Sequence, residues 1–379
     1  MSRIALVIAI ASCGHSQATT DAPVVPIDAA GPDVIGVDLA PDLVPIAAQY
    51  GVPALAALAA DDHTILGEGV TGVRKLGDPT LATLDDVWHL GSDTKAMTAT
   101  LIAEYVEAGT LSWDTTLPIA FPGVAVDPGY HDVTIAMLLA HVGGAPADFP
   151  ADVETLLEGS GTPQAVRLQV VEALLTRPPG ATVGQFTYSD AGYMMAGAAL
   201  EIATSTAWED SIQAHVFAPL GMTSCGFGPN ATGDSDDEPW GHTLVDGVLT
   251  PMNVDNPPAL GPAGVVHCSL ASWLAFLRDH LAGANGAPTT LGLAPATWQM
   301  LHTPYSGSNY ALGWIVASRP WADGFALSHA GSNTLNVADV WIAPAIDRIF
   351  MSVGNRGDTP ALTAADAVIG DLVTRFPVP

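Results

Sequence analysis

Ser92 and Lys95 stand three residues apart in segment 87–97, VWHLGSDTKAM. Serine is a favoured N-cap residue, so the simplest interpretation is a helix that starts at Ser92. A capping box, however, has Glu or Gln where Lys95 stands, and a cation in the first turn opposes the helix dipole. The chain contains only two lysines, Lys75 and Lys95. Residues three apart lie on one helix face, and a desolvated lysine releases its proton more easily, so the pair suits a nucleophile and its base.

Two later motifs carry polar side chains that can complete such a site. The first is Tyr188-Ser189-Asp190, directly before a predicted helix. The second is His329-Ala330-Gly331-Ser332, at the end of a predicted strand, where small residues let a substrate approach the backbone closely. Each motif alone is weak, because a tyrosine before a helix is usually a half-buried aromatic residue.

The three motifs together, in this order, resemble those of the serine β-lactamase-like hydrolases: S-x-x-K, then Y-x-N or Y-x-S, then K-T-G or H-x-G. That group includes class C β-lactamases, D-alanyl-D-alanine peptidases, D-aminopeptidases and related esterases. The resemblance runs from about residue 52 to the C-terminus and includes the stretches GVPALAALAADDHTILGEGVTG, VTIAMLLAHVGGAP, FAPLGMTSCGFG, LGPAGVVHCSLASWLAFL and YALGWIV.

The resemblance implies a role for each motif. Ser92 is expected to attack a carbonyl and become acylated, with Lys95 and Tyr188 sharing the general-base work. The amides of Ser92 and Ser332 are expected to form the oxyanion hole, with Ser332 on an edge strand. His329 and Gly331 are expected to line the opposite side of the site.

Two positions depart from the family pattern. Many relatives have Asn where this chain has Asp190, and an ionised carboxylate cannot donate a hydrogen bond to substrate. Asp190 can instead pair with Lys95, which would raise the pKa of the lysine and shift base work to Tyr188. Ala330 removes a hydroxyl, and His329 replaces a permanent cation. These changes favour an esterase or a hydrolase of small amides over an enzyme that grips anionic peptides.

Two alternatives remain open at this stage. One is a D,D-carboxypeptidase or β-lactamase that acts on peptidoglycan peptides or β-lactams. The other is a catalytically inactive relative that binds peptidoglycan or a partner, which the presence of Ser92, Lys95 and Tyr188 disfavours. An α/β-hydrolase is disfavoured because no G-x-S-x-G elbow occurs in the chain.

Apolar patterns predict the elements that must position these motifs. They indicate a hairpin over 54–72 and later strands, then a closing helix over 361–376. The later strands are predicted at 311–318, 325–328, 335–343 and 348–354. Helices are predicted at 94–108, 134–139, 165–175, 191–203 and 272–281. The sequence thus predicts an α/β, β-lactamase/transpeptidase-like fold over 46–379, with an antiparallel sheet flanked by helices and an inserted all-helical region over about 93–282.

Composition limits the partners. Asp plus Glu number 39 against 11 Lys plus Arg, so the surface repels phosphate backbones and a nucleic-acid partner is not expected. The 11 histidines are scattered without a metal-binding motif, and neither a metal nor another cofactor is expected. The expected partner is a small-molecule or peptide substrate, and the sequence predicts no oligomeric state.

The N-terminal residues predict export. A short basic start precedes an apolar run too short to span a bilayer, which ends in Ile10-Ala11-Ser12-Cys13 and resembles a bacterial lipobox. The resemblance implies a signal peptide over 1–13, lipidation of Cys13, and a flexible tether over 14–45. Gly14 is not the aspartate that retains many lipoproteins in the inner membrane. We therefore expect an envelope protein anchored to the outer membrane through a lipid.

Cys225 and Cys268 complete the three cysteines of the chain. Export permits a disulfide, but two cysteines far apart in sequence do not prove one. Two separate buried thiols are an equally good interpretation from sequence alone.

Overall fold

The computed structural model describes residues 36–377. The predicted signal peptide, Cys13 and tether residues 14–35 lie outside the described residues. The twelve strands of the described part are β1 (Val37–Asp38), β2 (Ala54–Ala60), β3 (Ile65–Gly72), β4 (Trp88–His89), β5 (Gly226–Phe227), β6 (Gly241–Val245), β7 (Val248–Met252), β8 (Val266–Cys268), β9 (Ile315–Arg319), β10 (Gly324–Ser332), β11 (Val337–Ala343) and β12 (Arg348–Gly354).

The same residues contain twelve α-helices, of which the second, seventh and ninth contribute groups around Lys95. They are α1 (Ala40–Tyr50), α2 (Thr94–Glu107), α3 (Leu117–Ala120), α4 (Ile135–Leu139), α5 (Ala151–Leu157), α6 (Pro163–Leu175), α7 (Asp190–Thr204), α8 (Trp208–Ile212), α9 (Gly261–Gly264), α10 (Leu270–Ala284), α11 (Pro295–His302) and α12 (Thr359–Arg375).

Both chain ends build one sheet, as the sequence predicts. Seven strands lie in the order β1-β3-β2-β12-β11-β10-β9, and every pair is antiparallel except β1 with β3. The predicted hairpin corresponds to β2 and β3, which are joined by a tight turn at Asp61. The predicted α/β fold is confirmed.

Strand β2, with the sequence ALAALAA, explains why the sheet has a core on both faces. All seven of its residues are buried. Side chains of successive strand residues point to opposite faces, so Ala54, Ala56 and Leu58 join the core under the helical region. Leu55 and Ala57 join the smaller core under α1 and α12.

The inserted region is mainly helical but is not all-helical. Strands β4, β8 and β5 form a three-stranded sheet, and β6 and β7 form a separate hairpin. All five strands contain only two to five residues, too few for a clear alternation, so periodicity did not reveal them.

The folded part begins before residue 46, so the predicted tether boundary is wrong at its C-terminal end. Helix α1 starts at Ala40 with a proline in its first turn, where proline costs no hydrogen bond. Its Leu43 and Ala47 are buried in the core it shares with α12. The Pro-, Ala- and Asp-rich composition suggested a tether, but these apolar positions lie four apart and form a helix face.

Cys225 and Cys268 form a disulfide. Cys268 lies in β8, opposite Trp88 of β4, so the bond fastens the small sheet that leads into segment 90–95. No helix among residues 36–377 is long and apolar enough to cross a membrane.

Candidate active site

Ser92 lies at the junction of a 3-10 turn, Gly91–Asp93, and helix α2. Leu90 enters this turn through a backbone hydrogen bond from its amide to the carbonyl of Val266 in β8. The expected N-cap hydrogen bond of Ser92 is not formed; its Oγ instead lies 3.0 Å from Nζ of Lys95. The Ser92 side chain at the start of α2 therefore contacts Lys95 and does not cap the helix.

Lys95 is fully buried, and all three hydrogens of its ammonium group have acceptors. Its Nζ donates to Oδ1 of Asp190 at 2.6 Å, to the carbonyl of Ala263 at 2.8 Å, and to Ser92 Oγ. Burial lowers the pKa of Lys95, but the charges and hydrogen bonds of Asp190 and Tyr188 outweigh it, so the net pKa is raised above the ordinary value. Lys95 is thus an ammonium at neutral pH.

The second motif enters the site at the start of α7. Ser189 caps this helix, because its Oγ accepts from the amide of Gly192 at 3.2 Å. Asp190 is the first residue of α7, where a negative side chain is favourable, and its side chain is 15 % exposed beside Lys95. The structure therefore pairs Asp190 with Lys95, as the departure from the family pattern suggests.

Tyr188 stands over the same lysine. Lys95 Nζ lies 4.8 Å from the centre of the Tyr188 ring, and the phenol group interacts with both Lys95 and Ser92. Burial raises the pKa of Tyr188, and the nearby ammonium reduces that rise without cancelling it. Tyr188 is thus a neutral phenol at neutral pH.

The third motif lies on β10, next to the 3-10 turn that holds Ser92. The Nδ1–H of His329 donates to the carbonyl of Ala330 at 3.0 Å, and its Nε2 accepts from the hydroxyl of Tyr310 at 3.0 Å. Burial and the charge of Lys95 lower the pKa of His329 to about 3. His329 therefore brings no positive charge to the site.

Strand β10 is not the edge strand expected from the sequence, but the half that carries the third motif has a strand partner on one side only. Strand β9 pairs with residues 324–328 only, so residues 329–332 have β11 on one side and the 3-10 turn on the other. A Cβ built on Gly331 would lie 1.9 Å from the carbonyl oxygen of Leu90 and 2.8 Å from the amide nitrogen of Ser92. Gly331 thus lets the backbones at Ser92 and Ser332 meet.

Three groups near the motifs were not identified from the sequence. Tyr310 orients His329, the carbonyl of Ala263 holds Lys95, and His141 packs 4.4 Å from the Tyr188 ring, centre to centre. These residues lie in three stretches that resemble the family: YALGWIV, LGPAGVVHC and VTIAMLLAHVGGAP. The resemblance therefore pointed to these segments but not to the roles of the individual residues.

Asp93, between Ser92 and Lys95 in the chain, has a buried side chain next to His329 of the third motif. It is fully buried, and Oδ1 lies 3.9 Å from Nδ1 of His329. Burial and the charge of Asp339 raise its pKa well above the ordinary value. Asp93 therefore loses its proton less readily than an exposed aspartate would.

The arrangement can support attack of a hydroxyl on a carbonyl carbon. A serine, an ammonium and a carboxylate lie in hydrogen-bond contact, and a phenol ring stands over the ammonium. A glycine-lined backbone lies beside the serine amide. No group of three or more His, Cys, Asp or Glu side chains within residues 36–377 is arranged to hold a metal ion.

Comparison with characterised sequences finds similar proteins in several functional groups. The chain is 28 % identical over 292 residues to penicillin-binding protein 4 of Amycolatopsis lactamdurans, covering 74 % of this chain and 72 % of that protein. It is 28 % identical over 211 residues to lovastatin esterase of Penicillium rubens, covering 51 % and 50 %. It is 29 % identical over 199 residues to a putative D-alanyl-D-alanine carboxypeptidase of Escherichia coli, covering 48 % and 44 %. The chain thus spans about half or less of the latter two relatives.

Solved structures share the fold. The octameric penicillin-binding protein homologue from Pyrococcus abyssi aligns with a TM-score of 0.71 at 21 % identity, over 88 % of this chain and 76 % of that one. A D-stereospecific amidohydrolase from Streptomyces sp. aligns with a TM-score of 0.65 at 19 % identity, over 84 % and 95 %. The family model described as Beta-lactamase matches residues 39–374. With the three motifs assembled around one buried lysine on this fold, the chain belongs to the β-lactamase family of serine hydrolases.

Proposed function

We propose that this protein is a serine hydrolase that forms an acyl-enzyme through Ser92 and acts on esters or small amides. The observation that carries the proposal is the contact between Ser92 and Lys95, with Nζ 3.0 Å from Oγ at the start of a buried helix. Attack by Ser92 would produce an oxyanion that the amides of Ser92 and Ser332 are expected to stabilise. Lys95 and Tyr188 take part in moving the serine proton and in protonating the leaving group.

Charge at the site supports an uncharged substrate. The carboxylate of Asp190 reaches the site surface, and the only positive group that contacts it in the described structure is Lys95. His329 is neutral and Ala330 has no hydroxyl, so these two positions supply neither a cation nor a hydroxyl donor for a substrate carboxylate. A carboxylate near Asp190 would meet repulsion, whereas an ester would not.

An apolar contact near the site supports an apolar group on the substrate. Phe186 is 44 % exposed, two residues before Tyr188. Its ring packs edge-on against His141 and lies 5.8 Å from the centre of the Tyr310 ring. An exposed aromatic ring fixed by two neighbours offers a rigid surface for an alkyl or aryl group.

A second candidate function is a D,D-carboxypeptidase or β-lactamase activity on peptidoglycan peptides or β-lactams. Its support is the similarity to penicillin-binding protein 4, which extends over about three quarters of both chains. A catalytically inactive relative that binds peptidoglycan or a partner is the third candidate, and Asp190 is the feature that favours it.

Two active-site probes distinguish these candidates. The purified protein is treated with a fluorophosphonate and with a fluorescent penicillin, beside Ser92→Ala and a surface control, Ser160→Ala. Labelling by the fluorophosphonate alone, lost only in Ser92→Ala, supports the esterase proposal, and labelling by both supports the second candidate. Absence of Ser92-dependent labelling and of ester turnover would contradict both enzyme proposals.

We further propose that lipidation of Cys13 attaches the protein to the bacterial envelope, at the outer membrane. The support is the sequence around Cys13 described above. Cys13→Ser is expected to release the expressed protein from the membrane fraction. Unchanged membrane association of Cys13→Ser would contradict the lipid anchor.

A further inference from the structure

Asp190 stands where the Y-x-N form of the second motif has an amide, and it contacts Lys95, which contacts the nucleophile. Ser92 Oγ, Lys95 Nζ and Asp190 Oδ1 form a continuous chain with steps of 3.0 and 2.6 Å. The second step is short for a hydrogen bond between an ammonium and a carboxylate. An amide at position 190 can accept from Lys95 but cannot take a proton from it.

The other groups around Ser92 leave the site without a free base. Lys95 is an ammonium and Tyr188 is a phenol at neutral pH, since both have raised pKa values. The lone pair of His141 at Nδ1 accepts from the amide of Ser189 at 3.1 Å. The lone pair of His329 at Nε2 accepts from Tyr310. The carboxylate of Asp190 is the remaining acceptor in contact with this network.

We propose that Asp190 is the terminal acceptor of the Ser92 hydroxyl proton, which reaches it through Lys95. This proposal rests on the proposed function, because it concerns how the acyl-enzyme forms. It makes the site a serine–lysine–aspartate relay, in which the lysine passes a proton and ends the step with the charge it had at the start.

One proton of the Lys95 ammonium moves to Asp190 Oδ1, and as the Nζ group turns about its bond to Cε, the lone pair freed on Nζ accepts the Ser92 hydroxyl proton. The freed Oγ electron pair forms a bond to the substrate carbonyl carbon, and the π electrons of the C=O bond move to its oxygen. Asp190 is then a neutral acid, Lys95 an ammonium, and the substrate an oxyanion. When the oxyanion collapses, the carbon–leaving-group bond breaks and the stored proton returns through Lys95 to the leaving group.

The relay has defined electrostatic surroundings. Tyr188 and Tyr193 stand over Lys95, and the charges of Asp190 and Tyr188 raise the pKa of Lys95. Lys95 also interacts electrostatically with three residues on other elements: Asp93 on the 3-10 turn, His141 after α4 and His329 on β10. Burial keeps the two histidines neutral, so neither adds a competing charge at neutral pH, and burial also raises the pKa of Asp93.

Asp190→Asn tests the relay through the pH dependence of kcat/KM for an activated ester. In the wild type, Lys95 does not have to lose its proton, so activity is expected to persist below pH 7. In Asp190→Asn, Lys95 itself must be the base. Activity at pH 6 is expected to fall about 10²-fold or more, and the low-pH limb is expected to move up by about two pH units or more. Partial recovery at pH 9–10 is expected, and a purely structural role would not produce it.

The controls separate this proposal from the proposed function. Asp210→Asn changes an exposed aspartate on α8 and is expected to keep the wild-type profile. The relay would be overturned if the wild type hydrolyses the ester and Asp190→Asn keeps that activity at pH 6 with the low-pH limb unchanged. That result would leave the proposed serine hydrolase function intact. Absence of Ser92-dependent turnover in the wild type would instead overturn the proposed function.

A measurement on the wild type alone keeps the proposal testable if Asp190→Asn does not fold. The rate of acylation is followed in mixtures of H₂O and D₂O. Two protons in motion predict a curved dependence of rate on the deuterium fraction. A linear dependence, which indicates one proton in motion, would overturn the relay.

Discussion

Gly331 and Ser92 are so close that a Cβ at position 331 would stand 2.8 Å from the amide nitrogen of Ser92. The same atom would lie 1.9 Å from the carbonyl oxygen of Leu90, a distance that real Cβ atoms do not adopt. Both neighbours are backbone atoms, so no side chain can rotate away to make room. The third motif and the nucleophile turn therefore fit together only through a residue without a side chain.

Gly331→Ala is accordingly expected to lower the rate of Ser92 acylation by about 10²-fold or more, because the displaced backbone moves an oxyanion donor. The measurement is fluorophosphonate labelling over time. Gly370→Ala is the matched control, since a Cβ there meets nothing within 4 Å. It lies within α12 and is expected to leave labelling unchanged. Equal labelling rates for the two variants would contradict the proposed role of this contact.

Much of the sheet could be predicted from the sequence because its strands are continuous apolar runs between turn residues. The predicted strands 54–60 and 348–354 coincide with β2 and β12. The predicted strand 311–318 is misplaced, because β9 begins at Ile315. Gly313 adopts a φ of 87°, and a Cβ on it would lie 2.5 Å from Cα of Ala96, so a turn packs there against α2.

The residue types and order of the three motifs could be predicted, but not the contacts that set their protonation. The carbonyl of Ala263 reaches Lys95 across 168 residues of sequence, and the Tyr310 hydroxyl reaches His329 from a loop. Backbone carbonyls and loop side chains leave no periodic pattern, and only the packed fold brings them together. For the same reason, the sequence alone could not show whether Cys225 and Cys268 form a disulfide.

The disulfide between Cys225 and Cys268 is expected to stabilise the small sheet behind the nucleophile turn. It constrains a loop of 43 residues in the unfolded chain. Replacing both cysteines by alanine is expected to lower the free energy of unfolding by about 2–4 kcal/mol. Urea denaturation with and without reductant measures this. Reductant should destabilise the wild type and leave the double variant unaffected; an equal response of both would contradict the prediction.

Asp339 is expected to make the protein less stable as the pH rises. It is buried on β11, opposite Ala330, and burial with the charge of Asp366 raises its pKa to about 8 from an ordinary 3.8. The folded state therefore binds a proton that the unfolded state has lost, so stability decreases as pH rises from about 4 to about 8.

The test compares the melting temperatures of the wild type and Asp339→Asn across this pH range. The variant cannot ionise at position 339, so its melting temperature should fall less between pH 4 and pH 8. Asp210→Asn, at an exposed position, should follow the wild type. A slope for Asp339→Asn equal to that of the wild type would show that Asp339 does not cause the pH dependence.

Arg167 connects the helical region to the segment that holds Lys95. Its side chain is fully buried, pairs with Glu201 and Glu209, and donates from Nε to the carbonyl of Ala259 at 3.0 Å. Ala259 lies four residues before Ala263, whose carbonyl accepts from Lys95. Loss of Arg167 would leave two carboxylates without their cation and release this segment.

Arg167→Met is therefore expected to cost about 3–5 kcal/mol of unfolding free energy, because breaking a buried ion pair leaves an uncompensated charge. Adding Glu201→Gln and Glu209→Gln removes both charges and should recover part of that loss. The wild type, Arg167→Met and the triple variant are compared by urea denaturation, and the folded triple variant also by its rate of acylation. A triple variant that is no more stable than Arg167→Met would indicate that Arg167 stabilises the fold through its packing and its bond to Ala259 rather than through the two glutamates.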